Sequence, residues 1–339
     1  MRAVFLATAV TAATALTGAT LTGAGPAGAQ TLRVASFTPE GAVGVQHVMI
    51  PWMEAVTAEL GDRVEMIPFW GGSLGPNPFE QFNLVRDGVI DVAWVLAGYT
   101  PGQFPQLQVT ELPFTALSGE EASVTAWRLY ETGLVGGTED VHVLTVWTPD
   151  ITAIHLNQPI QSLEELAGKS LRTSGGTQAL FVETLGAAPQ TLGSVEANEA
   201  QGRGTIDGQL QGWTGMNTFG GFSVSRAAYN GPFGAAPFLL LMNKATWESL
   251  PADVQEVMMR HAGEPLARRG GRAYDEITRG IVERQTAAGY ELVTATEEDV
   301  ARYLDSFGAV HDTWVAATEN GAEVLATYME LIEAYRAGN

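Results

Sequence analysis

Residues 163–176 read LEELAGKSLRTSGG, and residues 204–213 read GTIDGQLQGW. The first segment places Arg172 on a short predicted strand, and small residues follow it. The second contains an Asp-Gly turn that precedes Gln211 and Trp213. A guanidinium at an open strand end is suited to a carboxylate, because its planar fork offers two parallel charge-assisted hydrogen bonds. The stretch therefore predicts a carboxylate pocket built around Arg172.

Strands and helices alternate on both sides of this stretch. Apolar patterns in the first half predict strand 31–36, helix 41–60, strand 64–69, helix 78–87, strand 89–97, helix 118–133 and strand 141–147. Residues 150–160 are expected to cross to a second domain, which continues with helix 162–167, strand 169–173, helix 176–185, helix 194–203 and strand 204–210. The layout predicts an α/β fold, and the apolar run at 89–97 favours a parallel sheet covered on both faces.

The last third of the chain is expected to return to the first domain. A strongly apolar strand is predicted at 236–243, and the chain beyond it has mostly helical patterns. Pro265 and the pair Gly270-Gly271 are expected to interrupt the longest helical segment, since Pro and Gly disfavour helix interiors.

Residues 1–29 have the pattern of a signal peptide. A positive charge at Arg2 precedes an apolar run, and the AGA sequence at 27–29 matches a small-x-small cleavage site. The alternative is an N-terminal membrane anchor, which the Thr and Gly residues within the apolar run disfavour. The pattern therefore predicts an exported, periplasmic protein that is cleaved after Ala29.

The composition excludes several classes of function. The 339-residue sequence has no cysteine, which rules out disulfides, thiolate catalysis and lipid attachment through cysteine. Its formal net charge of −20 disfavours nucleic acid and anionic membranes as partners. Because basic residues are scarce, a buried arginine carries more information about function. A chain of this length is ample for roughly two domains.

Motifs for catalysis and metal binding are weak. Residues 71–75 match the G-x-S-x-G nucleophile elbow, but Pro76 and Pro78 oppose the helix that an elbow needs at Ser73. The five histidines lack the H-x-x-x-H and H-E-x-x-H spacings of metal sites. For His155, in the crossing segment, a packing role is favoured over a ligand contact. We therefore expect no enzyme activity, no metal and no cofactor.

Four tryptophans lie at or near predicted strand ends, namely Trp70, Trp94, Trp147 and Trp213. Ligands of open α/β sheets bind beyond the carboxyl ends of the strands. Together the four indoles predict an aromatic-lined site. Trp70, Trp94 and Trp213 are the candidate ligand contacts among them.

Several longer segments carry a family resemblance. In chain order they are GGSLGPNPFEQFNLVRDGVIDVAWV at 71–95, ELPF at 111–114, PIQSLEELAGKSLR at 159–172, GTIDGQ at 204–209 and FLLLMNKATWESLPADVQ at 238–255. In their order and spacing, the chain resembles the extracytoplasmic substrate-binding proteins of TRAP (tripartite ATP-independent periplasmic) transporters. The resemblance covers essentially the whole mature chain and is more specific than any single motif.

The resemblance implies a two-lobed periplasmic binding protein fold. A ligand cleft would lie between two α/β lobes, which a long helix spans and a hinge closes on the ligand. Lobe I would comprise residues 30–150 plus about 235–270, and lobe II residues 151–234 plus about 271–339 with the C-terminal helices. The implied partners are a small carboxylate and an integral membrane permease pair driven by an ion gradient. Neither ATP nor catalysis would be involved.

The resemblance also extends to single positions of the pocket. Arg172 stands where the family's carboxylate-binding arginine ends the SLEELAGKSLR element. The sialic-acid-binding members have a second arginine, a polar amide after the first strand, a glutamate ending the third strand and an aromatic side chain in the second lobe. The corresponding residues here are Thr152, Phe37, Leu96 and Ser194, while Gln211 keeps the amide that follows the Asp-Gly turn. The pocket is therefore expected to favour a monocarboxylate with an apolar or aromatic body.

Other functions remain open at this point. A receptor that presents its ligand to a membrane sensor would share the fold and the pocket. A periplasmic enzyme on the same scaffold would need a titratable residue poised beside the ligand, and none is convincing. The motif series disfavours the binding protein of an ATP-driven importer. A dicarboxylate or a sugar acid is the alternative ligand. Some family members dimerise through C-terminal helices, so the helical run at 296–335 is compatible with a monomer or a dimer.

Overall fold

The protein is described by a computed structural model that covers residues 30–338. The expected signal peptide at 1–29 lies outside the described residues. The described chain forms two β-sheets, and we call the sheets with their covering helices the first and the second lobe. Within this range, none of the helices has the length and apolar character needed to cross a membrane.

The first lobe is built on a five-stranded sheet. Numbered in chain order, its strands are β1 (Gln30–Ala35), β2 (Val64–Phe69), β3 (Val92–Leu96), β4 (Val141–Trp147) and β10 (Phe238–Asn243). The spatial order is β2-β1-β3-β10-β4. β1 is parallel to β2 and β3, whereas β10 is antiparallel to β3 and β4. The expectation of a parallel sheet holds for β1, β2 and β3, but the sheet is mixed, because the returning strand β10 enters between β3 and β4 from the opposite direction.

The second lobe is built on a six-stranded sheet. Its strands are β5 (Ala153–Leu156), β6 (Ser170–Thr173), β7 (Ala188–Thr191), β8 (Gly208–Gln211), β9 (Ala227–Asn230) and β11 (Glu291–Thr294), in the order β11-β9-β5-β8-β6-β7. β6 is parallel to β7 and β8, and β5 is antiparallel to β8 and β9. The crossing segment therefore supplies a central strand of this sheet. This arrangement places the end of β6 beside the end of β8.

Twelve α-helices cover the two sheets within the described residues. They are α1 (Ile50–Leu60), α2 (Gln81–Arg86), α3 (Gly119–Glu131), α4 (Gly176–Thr184), α5 (Ser194–Gly202), α6 (Trp213–Phe219), α7 (Lys244–Ser249), α8 (Ala252–Arg260), α9 (Gly263–Ala287), α10 (Glu297–Phe307), α11 (Ala309–Ala317) and α12 (Gly321–Arg336). Side-chain capping begins α3, where the Ser118 hydroxyl accepts a hydrogen bond from the Glu121 amide at 3.1 Å.

The longest helix, α9, is continuous, so the predicted interruption at Pro265 and Gly270-Gly271 was wrong. Pro265 lies in the first turn, where its missing N–H has no partner to lose. The two glycines serve close packing. A Cβ on Gly271 would lie 2.4 Å from the carbonyl oxygen of Gly119 in α3, so only glycine allows the two helices to approach this closely.

The helix α9 also connects the lobes. It packs against α3 and β4 of the first lobe and against α6 of the second lobe. The final helix, α12, packs on α3, and the Arg336 guanidinium pairs with the buried Glu121 carboxylate at 2.6 Å. The C-terminal segment therefore ends on the first lobe, after α10 has contributed Tyr303 to the apolar core of the second.

Candidate ligand-binding site

A cavity lies between the lobes, at the carboxyl end of β3. Its empty space, including the part that is open to solvent, is about 650 Å³. Side chains from both lobes form its walls, including Phe37, Trp94, Leu96, Tyr99, Thr152, Arg172, Ser174, Gln178, Ser194, Gln211, Phe238 and Tyr274. The cavity therefore brings together Arg172 and six other residues that the sequence predicted.

Arg172 lies on β6 and is 2% exposed. Its Nε donates to the carbonyl oxygen of Leu192 at 2.8 Å, and Nη1 donates to the carbonyl oxygen of Leu210 at 3.0 Å. These two bonds come from loops and strands of its own lobe. They fix the plane of the guanidinium before any ligand arrives, so the arginine is preorganised.

The other end of the guanidinium joins two polar side chains. Nη1 donates to Oε1 of Gln211 at 3.0 Å, and Nη2 donates to the Tyr99 hydroxyl at 2.9 Å. Because an arginine has five N–H groups, one on Nη2 remains without an acceptor among the described residues. The Gln211 amide nitrogen and the Tyr99 hydroxyl proton are likewise available as donors. A group with three spare donors is suited to bind an anion.

Tyr99 was not predicted from the sequence. It follows β3 in the first lobe, so its hydrogen bond with Arg172 joins the two lobes. Its position three residues beyond the end of a buried strand was a usable signal, since ligands bind at such ends. The partner on the other lobe, however, follows only from the three-dimensional arrangement.

A second part of the cavity wall is aromatic and apolar. The Phe37 ring centroid lies 5.6 Å from that of Trp94 and 6.1 Å from that of Tyr99. Phe238 packs edge-on against Trp94 at 4.9 Å. Leu96 is on the same face of β3 as Trp94, because side chains two residues apart on a strand share a face. The cavity thus has a polar end at Arg172 and an apolar body.

Three further predicted residues, Thr152, Ser194 and Gln211, add polar groups to the lining. The backbone of Thr152 is held by a 2.8 Å hydrogen bond from its N–H to the carbonyl oxygen of Gly234. Ser194 begins α5 in the second lobe. Gln211 ends β8 beside Arg172, as its position after the Asp-Gly turn implies.

Two predicted tryptophans lie outside this cavity. Trp213 begins α6 and is buried against Ala153 and Tyr290, with its Nε1 donating to Asn230 at 3.0 Å. Trp70 follows β2, the edge strand of the first sheet, and packs on the core there. A position near a strand end does not determine which side of the sheet a side chain faces, and for this reason both were misplaced.

The two lobes touch directly beside the cavity. A Cβ on Gly175, in the second lobe, would lie 2.8 Å from the Cα of Gly98 in the first. Nearby, the Thr177 hydroxyl donates to the Gln108 side chain at 3.1 Å. In this arrangement Arg172 is almost fully buried.

A buried carboxyl group lies next to the arginine. Glu111 is 1% exposed, accepts a hydrogen bond from the Ser174 hydroxyl at 3.4 Å, and has no partner for Oε2 among the described residues. Burial raises the pKa of Glu111 to about 7, and the hydrogen bond from Ser174 and the charge of Arg172 oppose this shift. Sequence reasoning did not find this residue, although the ELPF motif contains it.

The geometry gives little support to the catalytic and metal motifs. Around Ser73 the chain forms a turn with positive φ at Gly71 and Gly72, and helical structure begins only at Pro78. His155 is fully buried and bonded to the Tyr290 hydroxyl at 3.0 Å, outside the cavity; burial lowers its pKa to about 3. No group of three or more His, Asp or Glu side chains in the described part of the chain is placed to hold a metal ion.

Comparison with solved structures places this arrangement among binding proteins. A TRAP solute binding protein from a marine metagenome, described as specific for aromatic acid ligands and crystallised with 3-hydroxybenzoate, is 29% identical, with a TM-score of 0.86 over 91% of this chain and 99% of that chain. A TRAP solute binding protein from Rhodoferax ferrireducens T118, in complex with copurified benzoate, is 24% identical and superposes with a TM-score of 0.86 over 91% of this chain and 98% of that one. At that identity the second comparison shows a shared fold alone.

Sequence comparisons agree with this placement. The C4-dicarboxylate-binding periplasmic protein DctP of Rhodobacter capsulatus is 24% identical over 258 residues, which cover 73% of this chain and 75% of that protein. Residues 34–317 match the profile of bacterial extracellular solute-binding protein family 7. The predicted resemblance to TRAP substrate-binding proteins is confirmed, and the chain belongs to bacterial extracellular solute-binding protein family 7.

Proposed function

We propose that the protein is the periplasmic binding component of a TRAP transporter and that its ligand is an aromatic monocarboxylate. The observation that carries the proposal is the group of three spare donors on Arg172, Tyr99 and Gln211 at one end of an aromatic cavity. A carboxylate accepts from all three, and each charge-assisted bond is stronger than a neutral one. The aromatic ring of the ligand then packs against the aromatic walls of the cavity.

The charge of the cavity favours one carboxylate over two. Among the described lining residues, Arg172 is the only one with a full positive charge. A second carboxylate would be buried without a cation, which costs several kcal/mol. A sugar acid would bury hydroxyl groups against Phe37, Leu96 and Phe238, which cannot bond to them. These arguments disfavour the C4-dicarboxylate that the name of the Rhodobacter relative would suggest.

The aromatic-acid relative supports the same choice. That protein is described as specific for aromatic acids, and it shares the fold of this chain over nearly its whole length. We propose that the ring of the ligand contacts Phe37, Trp94 and Leu96, while Thr152, Ser194 and Gln211 contact polar atoms near the carboxylate. Binding would draw the lobes together through Arg172 and Tyr99, and the closed protein would deliver its ligand to a membrane permease.

A thermal-shift panel tests the proposal. The protein without residues 1–29 is heated with benzoate, hydroxybenzoates, succinate, malate and glucuronate, each at the same concentration. A ligand at about 100 times its Kd stabilises a protein by about 2.7 kcal/mol. We expect the aromatic monocarboxylates to raise Tm and the C4-dicarboxylates and glucuronate to leave it unchanged. The opposite pattern, or a response to none of the aromatic acids, would overturn the proposed ligand class.

A further inference from the structure

The side chain of Gln178 presents a hydrogen-bond donor that no group of the described chain uses. Gln178 lies on α4, lines the cavity and is 3% exposed. Its Oε1 accepts a hydrogen bond from the backbone N–H of Ser174 at 2.8 Å, which fixes the amide and turns Nε2 away from that contact. Nε2 makes no hydrogen bond within residues 30–338, and it is not among the polar atoms there that are both unpartnered and sealed from solvent. Its two N–H groups are therefore accessible from the cavity.

Two glutamines that are buried elsewhere use the same nitrogen. Nε2 of Gln81 donates to two backbone carbonyl oxygens, and Nε2 of Gln209 donates to two side chains. These residues are 1% and 0% exposed, so they are buried about as deeply as Gln178. Water can accept from a donor that faces a cavity until a ligand displaces it. A ligand that displaces this water must supply an acceptor of its own, because an unsatisfied buried amide is unfavourable.

The Gln178 amide lies beside the part of the wall where the ring of the ligand is proposed to pack. The group of three spare donors around Arg172 serves the carboxylate, and Gln178 makes no hydrogen bond with that group. A Cβ on Gly98 would lie 2.7 Å from the carbonyl oxygen of Ser174 and 3.2 Å from Cδ2 of Leu96. Ser174, which holds the Gln178 amide, is therefore a neighbour of Leu96. The spare donor of Gln178 is thus placed for a ligand atom other than the carboxylate.

We infer that Gln178 Nε2 donates a hydrogen bond to a neutral oxygen substituent on the ring of the ligand. The inference rests on the proposed function and narrows it, because the preferred ligand becomes an aromatic acid that carries a hydroxyl group. An unsubstituted acid would displace water from Nε2 and leave the amide without an acceptor. Arg172 then provides affinity for any aromatic carboxylate, and Gln178 selects the hydroxylated one.

Calorimetry with paired ligands tests this selection. Benzoate and its 2-, 3- and 4-hydroxy derivatives are titrated into the wild-type protein and into Gln178→Met, which keeps the length of the side chain but removes the donor. We expect the wild type to bind at least one hydroxybenzoate about tenfold more tightly than benzoate, the effect of one buried hydrogen bond. Gln178→Met should lose that preference. The matched control is Gln190→Met, at an exposed position on β7 outside the cavity, which should keep it.

If the wild type binds benzoate and all three hydroxybenzoates equally, or if Gln178→Met keeps the preference, the inference is overturned even though the proposed function stands. An equal loss for all four ligands in Gln178→Met also overturns it, since the amide then serves the carboxylate or only packs. If the wild type binds none of the four, the proposed function fails and the inference fails with it.

A crystal structure of the wild type with its tightest hydroxybenzoate provides a second test, which does not depend on the folding of Gln178→Met. We expect the hydroxyl oxygen within about 3 Å of Gln178 Nε2. A hydroxyl oxygen bonded to another group, with Nε2 more than about 3.5 Å away, would overturn the inference.

Discussion

At the level of single residues, the guanidinium of Arg172 has both a structural role and a proposed ligand-binding role. Two of its N–H groups are bound to the backbone carbonyls of Leu192 and Leu210, so the guanidinium is held in one orientation. The remaining N–H groups face two side chains and a potential ligand. A lysine would supply the charge without the planar fork that makes all these contacts at once.

Arg172→Lys should therefore weaken binding of an aromatic acid more than tenfold, since a hydrogen bond to a charged group contributes about 1.5–3 kcal/mol. The matched control is Arg203→Lys, in which an exposed arginine paired with Glu199 on α5 is changed in the same way. Isothermal titration calorimetry of both variants measures the difference. Equal affinities for Arg172→Lys and the control would contradict the role of the guanidinium.

The buried Glu111 carboxyl group should make the stability of the folded protein depend on pH. Its pKa is about 7 in the folded protein, above the ordinary value of 4.5, because the carboxyl group is buried. The folded state then holds the proton more tightly than the unfolded state, so stability falls as pH rises from about 4.5 through about 7. The loss is on the order of 3 kcal/mol. The hydrogen bond from Ser174 and the charge of Arg172 reduce the upward pKa shift and so reduce this loss of stability.

Glu111→Gln removes the titrating group and keeps the shape. Thermal unfolding between about pH 5 and about pH 8 should show a smaller loss of stability for this variant than for the wild type. The exposed Glu131→Gln serves as the control and should follow the wild type. Parallel curves for wild type and Glu111→Gln would show that Glu111 is not the responsible group.

Much of the cavity lining could be predicted from the amino-acid sequence. Arg172, Thr152, Gln211, Phe37, Trp94, Leu96 and Ser194 all lie at the cavity. Tyr99 was missed although its place after β3 was a usable signal, because its partner is on the other lobe. Glu111 could not be found in this way, because its importance comes from complete burial. Trp70 and Trp213 were predicted at the cavity but lie outside it, because a position near a strand end does not indicate which way a side chain faces.

Among the elements, long amphipathic or apolar segments were predictable and so was the short strand β6, whereas several other short strands were not. The strands at 64–69 and 141–147 and the helix α3 were confirmed within one or two residues. Strands of four residues, such as β5, β7 and β9, are too short for a pattern of alternation. The continuous helix α9 was missed because Gly270-Gly271 was treated as a break, whereas tertiary packing against α3 overrides that preference.

The start of α4 offers a test of lobe closure. Gly175 is extended, with a φ of −178°, so alanine fits its backbone; the added Cβ would lie 2.8 Å from Cα of Gly98 on the other lobe. Gly175→Ala should therefore hinder closure and reduce ligand affinity, at an overpacking cost of about 1–3 kcal/mol. Gly176→Ala, where nothing lies within 4 Å, is the control and should bind normally. Unchanged affinity in Gly175→Ala would show that the glycine contact does not limit closure.

For the whole molecule, the two sheets and the helix α9 form a closed receptor in which the ligand site is built by both lobes. We propose that the boundaries between the lobes fall near residues 150, 235 and 270, where the chain passes from one lobe to the other. The polar group at Arg172 comes from the second lobe apart from Tyr99, and most of the apolar wall comes from the first lobe. A ligand with a carboxylate at one end and a ring at the other therefore joins the lobes along its length.

The most direct test of this arrangement is a crystal structure of the protein with benzoate. We expect the carboxylate within about 3 Å of Arg172 Nη2 and the Tyr99 hydroxyl, with the ring packed against Phe37 and Trp94 and the lobes in contact at Gly98 and Gly175. A benzoate bound elsewhere, or one whose carboxylate faces away from Arg172, would contradict the central claim that this arginine anchors an aromatic acid.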